Sequence, residues 1–157
     1  MARRRRSEVR EKAPDRRHDS ELVAHLINRV MRRGKKSVAE RIVYGALDRI
    51  RGEMKENDPL EVLVRAVDNV KPRVEVKSRR VGGATYQVPV EVSPVRQRAV
   101  ALQWIIQFAK GRKGVSTEKA LAMELMDAFR TQGNAIKKRD DTHKMAQANR
   151  AFAHYRW

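Results

Sequence analysis

The side chains in this sequence with chemistry to offer are its cations, and they come in four groups. Arg3, Arg4, Arg5, Arg6 and Arg10 open the chain, and Arg32, Arg33, Lys35 and Lys36 bracket Gly34. Arg73, Lys77, Arg79 and Arg80 lead into the pair Gly82 and Gly83, and Arg96 and Arg98 follow. Grouped guanidinium and ammonium groups neutralise phosphates, arginine through a planar fork of donors, and they release the counterions condensed on a polyanion. The chain carries 36 lysines and arginines against 19 acids, a formal +17, so nucleic acid is the partner class the charge implies. Self-repulsion at that charge also points to a monomer when free.

Other chemistries find no footing. His18, His25, His143 and His154 lack a metal-ligand spacing, and with no cysteine there is neither a disulfide framework nor a thiolate metal site. Gly82 and Gly83 lie within an alternating segment, not between a strand and a helix, so no phosphate-binding loop is present. Asp140 and Asp141 are neighbours and point about 100° apart on a helix. Lys138, Arg139 and Lys144 flank them, so ion pairing, including Asp140 with Lys144, is expected instead of metal-assisted hydrolysis. We therefore expect no enzyme, no metal and no cofactor. No apolar run approaches the ~18 residues of a membrane span, and Glu8, Glu11, Asp15 and Asp19 argue against a transit peptide. The cytosol is the simplest address, with no membrane partner.

The elements that must position the cations follow from periodicity. Residues 71–92 alternate apolar and polar, so two strands should flank the Gly82–Gly83 turn in a ribbon over about 73–92. Even positions (Val74, Val76, Tyr86, Val88, Val90, Val92) are expected on its buried face. A seven-residue arm spans roughly 23 Å, enough to carry Arg79 and Arg80 clear of a small core. Tyr86 is left between stacking on a base and packing with the valines, the second being favoured.

Six helices are expected around the ribbon. Ser20 or Asp19 caps the first, which runs toward Gly34, and Ser37 with Glu40 reads as a capping box for the second. Asp58–Pro59 and Ser93–Pro94 open the third and fourth, the fourth being apolar enough to sit centrally. Ser116 or Thr117 caps a fifth helix ending at Gly133, and a charge-rich sixth follows from Asn134. Trp104, Phe108 and Phe129 are assigned to the core. The organisation is a basic arm over 1–18, a mainly α domain over 19–148 with a protruding β-hairpin, and a tail over 149–157 expected to be loose.

The ribbon sequence VKPRVEVKSRRVGGATYQVPVEVSP resembles the signature hairpin of the bacterial small-subunit ribosomal protein S7 family. The run from Ser20 through Leu26, Ile27, Gly34, Lys35, Lys36, Ile42, Val43 and Ala46 is similar to that family's other diagnostic pattern. MARRRR at one end and ANRAFAHYRW at the other resemble its bacterial members, so the resemblance runs nearly end to end.

The resemblance implies a ribosomal protein that binds the 3′ major domain of small-subunit ribosomal RNA early and organises the head. It implies that the ribbon tip (Arg79, Arg80, Val81, Gly82, Gly83) lies near exit-site transfer RNA. It also implies that the chain's end (Tyr155, Arg156, Trp157) lies near messenger RNA and a platform protein, among neighbouring proteins of head and platform. Repression of its own operon's messenger is a further implication. The rival from the residues alone is an architectural protein that lays a β-ribbon into bent DNA. Its tip, though, holds Val81 without a proline or phenylalanine wedge.

Overall fold

The hydroxyl of Ser20, in extended backbone, accepts a hydrogen bond from the amide of Val23 and so starts α1 (Glu21–Val30). The computed structural model describes residues 13–155. Val23, Leu26, Ile27 and Val30 fall on one face of α1 and are buried. The helix ends four residues short of Gly34, because the backbone turns extended at Met31, and Arg32 and Arg33 therefore lie in the connection. Helix α2 (Lys36–Glu53) starts one residue before Ser37, so the expected capping box does not form. Lys35 stands at the cap position without a side-chain cap, and Lys36 pairs with Glu40 at 3.8 Å.

Helices α3 (Pro59–Val70) and α4 (Pro94–Gly111) both open on a proline after an extended residue. Neither Asp58 nor Ser93 caps with its side chain, so the preset proline φ and its missing donor define these starts. Helix α5 (Thr117–Phe129) is capped by Ser116, whose hydroxyl accepts from the amide of Lys119. Helix α6 (Asn134–Ala148) is followed by a 3₁₀ helix, Arg150–Tyr155.

Helix α5 is the central helix, not α4. Ala120, Leu121, Ala122, Glu124, Leu125, Met126 and Ala128 bury it on nearly every side, and it packs against α2, α3, α4 and α6. Helix α4 buries Ala101, Leu102, Ile105, Ile106 and Ala109 but leaves Val95 71% exposed, so it flanks the core. Trp104, Phe108 and Phe129 are half-buried at the edge of that core, with the Arg65 guanidinium 5.2 Å from the Phe129 ring centroid.

One buried carboxylate joins three segments at the foot of α5. Glu124 is fully buried, accepts from Arg112 Nη2 at 2.7 Å and from the amide of Ala135 at 3.1 Å, and so ties the α4–α5 turn to the start of α6. Gly133 enters α6 with φ 92 and ψ 175, a region essentially closed to other residues. A Cβ there would stand 3.0 Å from the Asp127 Cβ. On α6, Asp140 pairs with Arg139 at 2.6 Å, not with the expected Lys144, because the Arg139 guanidinium is already held over α3 by the Asn69 carbonyl.

At the other end, residues 15–18 of the expected arm are fastened to α2. Asp15 is buried and accepts from Tyr44 Oη at 2.6 Å and from the amides of Arg17 and His18 at 3.1 Å. Arg17 grips Asp48 through two bonds of 3.0 and 2.8 Å, with its guanidinium carbon 5.3 Å from the Tyr44 ring centroid. Burial works to raise the Asp15 pKa, but the Tyr44 hydroxyl and the two amides outweigh it and hold the carboxyl below its ordinary value.

Candidate nucleic-acid interface

Helices α1 and α4 lie side by side, and polar residues on their outer edges line three adjoining grooves. The largest, about 690 Å³, has Asn28, Arg29, Arg32, Gln103, Gln107 and Lys110 among its walls. Arg29 and Asn28 carry it into a second groove with His25 and Arg98. Arg32 and Lys110 carry it into a third, where Lys35 joins them over an apolar floor of Val30, Ala39 and Ile42. Arg98, Arg29, Arg32, Lys110 and Lys35 thus form one cationic seam along α1 and α4 and onto the start of α2.

The middle of the seam is electrostatically unrelieved, whereas at one end Arg98 approaches Glu21 at 3.8 Å. Among the described residues, neither Arg32 nor Lys110 meets a carboxylate. Partial burial first, and repulsion from Arg32 second, hold the Lys110 ammonium below its ordinary pKa. At the seam's far end, α2 offers an uncapped N-terminus with no acid in its first turn, where unsatisfied amides and the helix dipole favour an anion. Phosphates in the seam would remove all of these penalties at once.

The ribbon is built from β1 (Val74–Val81) and β2 (Ala84–Glu91), joined by Gly82 and Gly83 at φ 57 and 90. Those angles are the ones a two-residue primed turn demands. Such a turn pairs positions of opposite parity, as in Val76 opposite Pro89 and Arg79 opposite Tyr86. The expected all-even apolar face is therefore wrong. Cross-strand partners share a face, so Glu75, Lys77 and Arg79 stand with Tyr86, Val88 and Val90, and Arg80 stands on the other side with Ser78 and Gln87. Of the apolar ribbon residues only Val88 and, just past β2, Val92 are buried.

Two ties fix the ribbon's base. Arg96 donates through Nε to both oxygens of Glu75, at 2.8 and 3.0 Å, and the amide of Arg73 donates to His143 Nε2 at 3.0 Å. That bond requires a neutral imidazole acceptor, and burial, followed by the charge of Arg139, lowers the His143 pKa accordingly. Lys77 also reaches Glu75, at 3.4 Å. Farther out, Tyr86 does pack, but against the chain's own tail: its ring lies 5.2 Å from Phe152 and 5.0 Å from Tyr155. The 3₁₀ helix, expected as a loose end, is docked on the ribbon.

The structure thus brings Arg32, Lys35 and Arg98 into one seam, with Arg33 on the same connection and Lys36 at the start of α2. It ties Arg96, Lys77 and Arg73 to the ribbon's base and places Arg79, Arg80, Val81, Gly82 and Gly83 toward its tip. Arg96 and Lys77 share Glu75, so their charge is partly spent within the molecule. Arg3, Arg4, Arg5, Arg6, Arg10, Arg156 and Trp157 lie outside the described residues. Sequence reasoning passed over Arg29 and Lys110 as site residues. The signal was the spacing of Gln103, Gln107 and Lys110, which puts them on one stripe of α4. Among the described residues no cluster of acids and histidines could hold a metal ion, and no helix is long and apolar enough to cross a membrane.

Comparison with known proteins gives a consistent result. The family described as ribosomal protein S7p/S5e matches residues 2–150. A protein of Akkermansia muciniphila is 58% identical over the whole of both chains, and one of Thioalkalivibrio sulfidiphilus is 59% identical over the same extent. A third, from Desulfotalea psychrophila, is 56% identical, again over both full lengths. Each of the three is named small ribosomal subunit protein uS7.

Proposed function

The chain belongs to the ribosomal protein S7p/S5e family, a structural and non-enzymatic constituent of the small ribosomal subunit with ribosomal RNA and ribosomal proteins as partners, and from that premise we propose how it grips its RNA. The target is the 3′ major domain of the small-subunit ribosomal RNA, which the protein binds early to organise the head. The α1–α4 seam, the uncapped start of α2 and the ribbon contact the backbones of several RNA helices meeting at a junction. The arm preceding Asp15 closes on the same RNA through Arg3, Arg4, Arg5, Arg6 and Arg10. Contacts go mainly to phosphate and sugar, because the deep, narrow major groove of A-form RNA excludes side chains. Fixing the relative directions of those helices is the work performed.

The observation that carries this reading is the seam itself: cations from α1, α4 and the connection into α2 converge on connected grooves, and among the described residues Arg98 alone of them meets a carboxylate, Glu21 at 3.8 Å. In the same reading the ribbon tip, Arg79 to Gly83, faces exit-site transfer RNA. The tail, with Tyr155, Arg156 and Trp157, lies beside the messenger path and a platform protein. Binding to its own operon's messenger uses the same seam, since a junction of RNA helices there presents the same backbone shape.

Equilibrium binding at fixed salt tests the target. A transcript of the 3′ major domain should bind at least about a thousandfold more tightly than structured RNA of equal length from elsewhere, the lower end of specific over nonspecific binding. Charge reversal at Arg79 and Arg80 should lower that affinity, and equal affinity for both RNAs would overturn the proposal.

A further inference from the structure

The ribbon rests on α6, which packs against both of its strands. Its base is held by Arg96 with Glu75 and by His143 with the Arg73 amide, and Val88 is its outermost fully buried residue. Gly82 lies six residues farther on, a lever of roughly 20 Å. A tilt of about 10° about Val88 would move the tip by about 3.5 Å, more than the tolerance of a hydrogen bond. The pair of strands is a two-stranded ribbon with no third strand beside it among the described residues, and such ribbons are not stiff alone. Something beyond Val88 must hold its direction.

The contact at that place is aromatic. Tyr86 lies one pleat beyond Val88 on the same face, and its ring meets Phe152 and Tyr155 in tilted arrangements at 5.2 and 5.0 Å. The His154 ring lies tilted against Tyr155 with centroids 4.0 Å apart and bonds through Nδ1 with the Ala151 carbonyl, within the 3₁₀ helix. That helix grows directly out of α6, whose C-terminal cap is closed by the amide of Asn149. Helix α6 is itself rooted in the core through Ala135, Ile136 and Ala146. A continuous path of packed groups therefore runs from the core through α6 and the tail to the outer half of the ribbon.

We propose that the C-terminal 3₁₀ helix is a strut that sets the direction of the ribbon, with Phe152, Tyr155 and Tyr86 as positioning residues that hold Arg79 and Arg80 in place for RNA. The mechanical part stands on the contacts above, and the consequence for RNA affinity rests on the reading of the previous subsection. Tyr86 is thereby committed to the strut and is not a platform for bases. Ribbon and tail move as one body, so a partner that pulls the tail away releases the ribbon tip as well.

The chain has no cysteine, so a spin-label pair can be installed at Thr85→Cys near the tip and Arg49→Cys on α2 without background. Distance distributions in the RNA-free protein should be narrow in the otherwise wild-type chain and in Tyr86→Phe, which keeps the ring. They should broaden in Phe152→Ala, which lies outside the ribbon, and equally in Tyr86→Ala. An unchanged distribution in Phe152→Ala, or a broad one in the parent, overturns the proposal.

For RNA, loss of one or two ring contacts should weaken binding roughly three- to tenfold. The double variant should be no worse than either single variant, since both break one strut. If Arg79→Glu with Arg80→Glu leaves RNA affinity unchanged, it is the ribbon–RNA reading that fails, while the distance result still decides the strut. Additive losses in the double variant would make Tyr86 a direct RNA contact and refute its positioning role.

Discussion

Replacing Arg29, Arg32, Lys35 and Lys110 together by alanine should change how RNA affinity depends on salt by an amount the structure lets one state in advance. All four side chains are exposed and line the connected grooves, and none forms an ion pair with an acid among the described residues. If each neutralises one phosphate, each contributes about 0.7–0.9 to the slope of log affinity against log salt. Four contribute about 2.8–3.6, so between about 50 and about 200 mM salt the advantage of wild type over the quadruple variant should shrink about 50- to 150-fold. A single replacement should give about threefold. Filter binding or fluorescence anisotropy across a salt series measures this directly, with circular dichroism melts to confirm that the helices are intact. Arg49 and Arg51, exposed on α2 and absent from all three grooves, form the control pair. A slope that the quadruple variant leaves unchanged, or that the control pair lowers as much per cation, would show that charge acts through the whole molecule and not through the seam.

Two expectations concern stability. Gly133→Ala must adopt φ 92, ψ 175 and place its Cβ against Asp127, so it should cost about 2–3 kcal/mol and be visible as a lower urea midpoint with unchanged slope. A cost under about 0.5 kcal/mol would mean the turn simply rearranges. Tyr44→Phe removes the bond that helps depress Asp15, and at neutral pH it should cost about 1.5 kcal/mol, as hydrogen bonds to charged groups do. Because the folded Asp15 pKa lies below its unfolded value, that contribution is fully present above about pH 3.9 and lost as pH falls through the folded value. Burial first, and Asp15 second, push the Tyr44 pKa up to about 12, so its protonated form stabilises the fold below about pH 10, and that contribution fades as pH climbs toward 12. Urea titrations of wild type and Tyr44→Phe should draw together in acid, and a gap that stays constant from neutral pH down to the onset of acid unfolding would refute the assignment.

What the sequence made legible is what short spans of chain decide. The six helices follow from apolar spacing and from proline starts, and the turn at Gly82–Gly83 follows from its two glycines, because each is settled within about ten residues. The centrality of α5 was not legible. Its apolar content is ordinary, and its burial depends on which four helices surround it. Glu124 shows the same limit. A glutamate at an α5 position gives no sign of burial until the fold brings Arg112 and the Ala135 amide to it from either side. The seam was half legible: the groups at Arg32–Lys36 and at Arg98 stood out as clusters, whereas Arg29 and Lys110 became neighbours only through the packing of α1 on α4.

The ribbon face and the tail failed for related reasons. Alternation along each strand was visible, but carrying one parity across the turn requires an odd loop, and the loop here has two residues. Once the parity is corrected, Tyr86 and Val88 stand on the face that carries Glu75, Lys77 and Arg79, and the apolar pair needs a cover that the ribbon does not supply. The cover is Phe152 and Tyr155, more than sixty residues away in a segment whose polar neighbours made it look unattached. A terminal segment with three rings in four positions, Phe152, His154 and Tyr155, carries too much apolar surface to remain in water beside a ribbon with an uncovered aromatic ring. The burial each lacks is the burial the other supplies, and that reciprocity makes the tail part of the ribbon's foundation.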